Sequence, residues 1–105
     1  MNFELINNLI MDYVLIVEVL LLRLQEKIIE HNDKIYLDRE IFIDLLSKKD
    51  FISPQQKMKI WRSLGWISCD KDRSRYTKKI RIKEKTFRKI VIEKEPYETL
   101  KSLTN

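Results

Sequence analysis

The chain has 105 residues, 44% of them apolar and 35% charged, with one Gly, two Pro and a formal net charge of +5. That length holds one domain with a single core and is too short to enclose a deep cavity between subdomains. The lone Cys69 excludes an intrachain disulfide framework and a cysteine metal cluster, as expected in a reducing cytoplasm, and no low-complexity tract points to disorder.

Residues 4–31 read as a helix with a possible break at Asn7-Asn8. They contain no Pro or Gly, and polar residues recur at Asn8, Asp12, Glu18, Arg23, Glu26 and Glu30. The polar stripe is narrow, so such a helix needs partners on two sides. Asp12, Glu18 and Arg23 divide the apolar residues into runs much shorter than the ~20 needed to span a bilayer. Early cations and a small-residue cleavage site are both missing, so neither a span nor a signal peptide is expected. Asn32-Asp33 is expected to end the helix, with His31 as a favourable cation at its C-terminus.

Residues 34–37 are a short strand candidate. Asp38 is an N-cap candidate for a helix over residues 39–48 that turns Ile41, Phe42, Leu45 and Leu46 inward. Ser53-Pro54-Gln55-Gln56 is the sharpest local signal: Ser53 caps, Pro54 takes the first helical position and Gln56 completes a capping box. The helix runs to Leu64, and Gly65 stands where a left-handed residue ends it. Its buried face is Met58, Trp61 and Leu64, and its free face Gln55, Gln56, Lys59, Arg62 and Ser63. Two strands follow at 66–70 and 76–83, joined by 71–75 as the tip of a hairpin. In the second strand Tyr76, Ile80 and Ile82 share one face, and Thr77, Lys79, Arg81 and Lys83 the other. Residues 86–92 read as a helix burying Phe87, Ile90 and Val91. Pro96 breaks it before a last amphipathic segment at 97–103.

The charge is unevenly placed. Residues 1–52 carry 6 cations and 10 acids, residues 53–92 carry 13 and 3, and residues 93–105 carry 2 and 3. A basic segment on an otherwise acidic body suits a polyanion partner.

The order helix, strand, helix, helix, strand, strand, helix resembles a winged helix-turn-helix, with the hairpin as the wing. Leu64-Gly65-Trp66-Ile67 followed by Asp70-Lys71-Asp72-Arg73-Ser74-Arg75 is similar to the wing of MarR-type regulators, over roughly residues 34–83. The chain departs from that family in being shorter, without its full set of dimerisation helices and its effector pocket. Its size and composition also resemble winged-helix accessory proteins of conjugative-plasmid relaxosomes and small phage or plasmid DNA-binding proteins. The expected fold is α+β, mainly α: one winged-helix domain over 1–105, with an N-terminal helix (1–33), a helix-turn-helix and wing (34–83) and a C-terminal helical segment (84–105).

The resemblance implies a double-stranded DNA partner and no catalysis, as a transcription regulator or an origin-binding accessory factor. The alternative is a winged-helix module that meets an acidic protein. On the helix, Gln55 and Gln56 suit adenine and Arg62 suits guanine, with Lys59 and Ser63 beside them. On the wing, Arg73 or Arg75 suits a minor groove, with Asp72 placed to hold an Arg in position and Lys71, Lys78 and Lys79 on phosphates; Ser74 and Thr77 are also expected among the DNA-binding residues. Either the helix or the wing could be the main reader. Trp61, Trp66 and Tyr76 fall on core spacing. Glu40 and Asp44 read as surface, and neither a phosphate loop nor a metal-ligand spacing is present, so no cofactor, metal, small-molecule substrate or membrane is expected. Apolar residues around most of the circumference of segment 9–24 leave two outcomes open: a monomer in which the helix is all core, or a homodimer through it.

Overall fold

The computed structural model describes residues 2–70 and 75–104. The chain is an α+β fold: four α-helices and an antiparallel sheet among the described residues. α1 spans Phe3–Leu22, with the Asn2 side chain accepting from the Leu5 N–H as its cap. A short 3-10 turn, Gln25–Lys27, leads into β1 (Ile28–His31) and β2 (Lys34–Leu37). α2 is Arg39–Leu46 and α3 is Pro54–Ser63. β3 (Ile67–Ser68), β4 (Lys78–Ile82), β5 (Lys85–Glu93) and α4 (Glu95–Thr104) complete the chain.

β5 organises the sheet. It pairs with β2 through Lys34↔Glu93 to Leu37↔Ile90, with β3 through Ile67↔Ile92, and with β4 through Lys78↔Lys89 to Ile82↔Lys85. The register puts Ile35, Leu37, Ile67, Ile90 and Ile92 on one face, where all are buried. Four rings cover that face, Tyr13, Phe42 and Trp61 from the helices and Trp66 from the bend before β3. Tyr13 stacks on Trp66 at 4.6 Å and meets the Trp61 ring edge-on at 5.2 Å, and Phe42 packs on Trp61 at 5.3 Å. Offset and edge-on packing of this kind adds to the area these rings bury. Trp61, Trp66 and Tyr76 are therefore core residues, as their spacing indicated.

The Tyr13 hydroxyl ties three elements together: it donates to the Glu93 carbonyl at 2.6 Å and accepts from the Tyr97 N–H at 2.9 Å. Tyr13→Phe leaves both groups unsatisfied and is expected to cost about 1–3 kcal/mol. Burial pushes the Tyr13 phenol's pKa up, so above about pH 10 the unfolded chain ionises first and stability falls. Lys94 acts in the same direction: its hydrogen bond to Glu30 holds its pKa up, and that stability is lost as pH rises past the usual lysine range. Denaturant midpoints measured between pH 8 and 11 should fall, and Tyr13→Phe should flatten the decline.

Several expectations are corrected. α1 is unbroken at Asn7-Asn8 and ends at Leu22, and residues 28–31 form a strand. Asn32 and Asp33 adopt φ of +52° and +60°, so they make a two-residue hairpin turn. His31 is accordingly an exposed strand residue, with no helix end to complement. The segment 86–92 is the central strand. Thr86, Ile90, Val91 and Ile92 are β-branched, and three other strands pair with them. The C-terminal helix begins only at Glu95 and takes Pro96 into its first turn, where Pro is tolerated. Asp38 stands at the N-cap of α2 but makes no capping bond; its carboxylate pairs with Lys89. Leu64 is 51% exposed, and Lys57 takes the inward place beside Met58 and Trp61.

Asp12, expected on a solvated stripe, is also buried. Its Oδ2 lies 2.9 Å from Lys57 Nζ, a charge contact in poor hydrogen-bond alignment. Lys57 Nζ donates to the Leu46 and Lys49 carbonyls at 2.7 and 2.6 Å and lies 4.3 Å from the Phe51 ring centroid. One ammonium thus clamps the α2–α3 connection to α1. By length and composition α1 would also cross a membrane, but here its buried face carries Asp12 and Tyr13, both engaged in the core.

Candidate nucleic-acid interface

The α3 N-terminus is built as its sequence indicated. Ser53 Oγ accepts from the Gln56 N–H at 3.2 Å, and Gln56 Oε1 accepts from the Ser53 N–H at 3.1 Å. This capping box occupies the Gln56 carboxamide oxygen, so bidentate pairing with adenine would require breaking it. Gln55, Lys59, Arg62 and Ser63 are exposed on the outer face. The Ser63 hydroxyl donates back to the Lys59 and Ile60 carbonyls, at 3.1 and 3.2 Å.

Lys59, Arg62 and Ser63 share a shallow cleft of about 430 Å³ with Tyr76. Arg62 lies 5.9 Å from the centroid of the Tyr76 ring, within cation–π range. Arg75, next to Tyr76, is exposed, and its carbonyl accepts from Arg39 Nε at 3.0 Å. Burial and the neighbouring charge of Arg75 both lower the Arg39 pKa, so positive charge is crowded at this junction. These contacts bring the start of α2 and the outer face of α3 to the segment that enters β4, with Arg39, Arg62 and Arg75 gathered around Tyr76.

The β4–β5 hairpin carries further cations. Lys83 and Glu84 form the turn at φ of +49° and +67°. Lys78, Lys79, Arg81, Lys83 and Lys85 are exposed and form no ion pair with a described residue. The register sets Lys79 opposite Arg88 and Lys78 opposite Lys89, which by themselves repel. Acids neutralise the inner member of each pair: Asp70 Oδ2 binds Arg88 at 2.7 Å, and Asp38 binds Lys89. Asp70 Oδ2 also accepts from the Lys79 N–H at 3.2 Å. The positive charge left over is thus displaced towards the turn.

Two further expectations change. The strands β3 and β4 do not form a hairpin with each other; both pair with β5, and a bond from the Asp70 N–H to the Thr77 carbonyl (3.3 Å) closes the excursion between them. The hairpin tip is therefore Lys83-Glu84, and Lys71, Arg73 and Ser74 lie outside the described residues. Thr77 is buried, and its hydroxyl accepts from Arg88 Nε at 3.2 Å, so it supports the sheet and offers no contact. Sequence reasoning left Arg39, Arg81, Lys83 and Lys85 out of the site. The usable signal was a two-residue polar gap between Ile80-Arg81-Ile82 and a run rich in β-branched residues.

Among the described residues no group of His, Cys, Asp and Glu is arranged to hold a metal ion. Glu40 and Asp44 are exposed, and Asp44 lies 3.7 Å from Lys48. No protein-family model matches the chain, and no curated protein matches it in sequence.

Proposed function

We propose that this chain binds double-stranded DNA without acting chemically on it, as a winged helix-turn-helix whose wing is the β4–β5 hairpin. One observation carries the proposal: exposed cations crowd two neighbouring elements, Lys59 and Arg62 on α3 beside Tyr76 and Arg75, and Lys78, Lys79, Arg81, Lys83 and Lys85 on the two faces and turn of the β4–β5 hairpin. An ordinary solvated face mixes signs and holds its cations in local pairs; here, among the described residues, Asp70 and Asp38 pair Arg88 and Lys89 and leave the outer hairpin cations without an ion pair. The chain order supports the fold reading. A strand before the helix pair (β2) and a strand after it (β3) both pair with β5, while α2 and α3 are packed together over the sheet. α3 then offers Gln55, Lys59 and Arg62 to a major groove, and the hairpin lies over phosphates or in the adjacent minor groove.

Titration of labelled duplexes at several salt concentrations tests this. About six phosphate contacts give a log–log salt slope near −5. No shift of any duplex at about 50 mM salt, with an acidic protein co-purifying instead, overturns the reading in favour of a protein-interaction module. Arg62→Ala should cost about 1–3 kcal/mol on the preferred site and much less on random DNA, whereas Lys78→Ala should weaken both alike. Selection of bound duplexes from a random pool separates the two roles we propose. An inverted repeat fits an operator-binding transcription regulator, and direct repeats fit an accessory factor at a plasmid or phage origin.

A further inference from the structure

The core uses one face of α1, and the opposite side still carries exposed apolar residues, interleaved with Glu4, Asn7 and Glu18. Leu9, Tyr13, Ile16, Val17 and Leu20 are buried. At helical spacing on the opposite side, Met11 is 57% exposed, Leu15 42% and Leu22 71%, with Phe3 at 84% in the first turn. α4 packs beside this face through half-buried Leu100 and carries Leu103, 78% exposed, one turn further on. Between the two helices runs a groove of about 330 Å³ lined by Ile10, Met11, Val14, Leu15 and Leu100 together with Glu18 and Lys101.

We propose that a second copy of this chain fills that groove, making a two-fold homodimer through α1 and α4. Three features select a second copy over another occupant. Phe3, Met11, Leu15, Leu22 and Leu103 are 42% to 84% exposed, and five such large apolar residues can supply much of the ~800 Å² per partner that a stable interface buries. The same patch holds both a groove and projecting side chains, which a two-fold contact needs in order to complement itself. Its lining carries one acid, Glu18, and one base, Lys101, so two copies of a chain with net charge +5 meet where the local charge balances. A bilayer is the rival occupant for so apolar a helix. Full insertion of α1 would pull Asp12 from Lys57 and Tyr13 from Glu93 and Tyr97.

This inference does not rest on the DNA reading, and the two surfaces are compatible. The inner face of α1 meets α3 through Tyr13 and Trp61, so the outer faces of α1 and α3 point to opposite sides of the molecule.

Light scattering and sedimentation of the full chain test the proposal. The expected mass is twice 12.8 kDa, falling towards 12.8 kDa on dilution. Met11→Glu and Leu15→Glu place a charge in the contact and should weaken dimerisation about 100-fold or more, with unchanged thermal unfolding of the monomer. A mass of 12.8 kDa at every concentration overturns the proposal, whether or not the chain then floats with phosphatidylcholine vesicles. A dimer that survives both substitutions with unchanged affinity also overturns it, because the interface then lies elsewhere. The mass of the unsubstituted chain decides the first question even where a variant fails to fold.

Discussion

Lys57→Met is expected to cost about 3–5 kcal/mol at neutral pH, a large part of the stability of a domain this size. The substitution keeps an unbranched side chain one atom shorter and removes its charge and donors. Three groups then lose their partner: the Leu46 carbonyl at the end of α2, the Lys49 carbonyl in the connection after it and the Asp12 carboxylate inside α1. Burial already holds the Asp12 pKa above the ordinary carboxylate value, and Lys57 pulls it back only in part. Without Lys57 it rises further. A carboxyl whose folded pKa is raised contributes stability that is full below its unfolded pKa and is lost as pH climbs through the folded one. The Lys57→Met defect should therefore be deepest at neutral pH and shrink on acidification. Because burial outweighs the ion pair at Asp12, adding Asp12→Leu to Lys57→Met should recover much of the loss. Urea midpoints for both variants at about pH 5 and 7 check the sign. A double variant less stable than Lys57→Met would mean that the carboxylate stabilises the core independently of Lys57.

The second large effect belongs to the hairpin. Replacing Arg81, Lys83 and Lys85 together by Ala removes three exposed cations around the turn. If each lies on a phosphate, the salt slope should flatten by about 3 units, and affinity for any duplex should fall roughly a hundredfold or more at about 0.1 M salt. Specificity should remain if α3 is the reader, because phosphate contacts position the protein without distinguishing bases. Loss of sequence preference with little change in slope would make the hairpin the reader. None of the three side chains enters the buried core, so a thermal unfolding curve like that of the parent chain separates this effect from misfolding.

How much of this was legible in the residues depended on the range of the interactions that decide each element. The Ser53–Gln56 box and Gly65, at φ +77°, are settled within three or four residues, so the start and end of α3 could be read directly. The burial of Met58, Trp61, Phe42 and Leu46 followed from helical spacing, and the asymmetry of charge from composition alone. Tertiary pairing decided the rest. Segment 86–92 has apolar residues at positions that serve either period, and only β2, β3 and β4 made it a strand. That choice moved the hairpin tip from 71–75 to Lys83-Glu84 and brought Arg81, Lys83 and Lys85 into the site. Likewise, Asp12 reads as part of a solvated stripe, and no local signal places Lys57 on the inward face. Both are buried because α1 crosses α3 where each charge meets the other, and the Leu46 and Lys49 carbonyls complete the ammonium's shell.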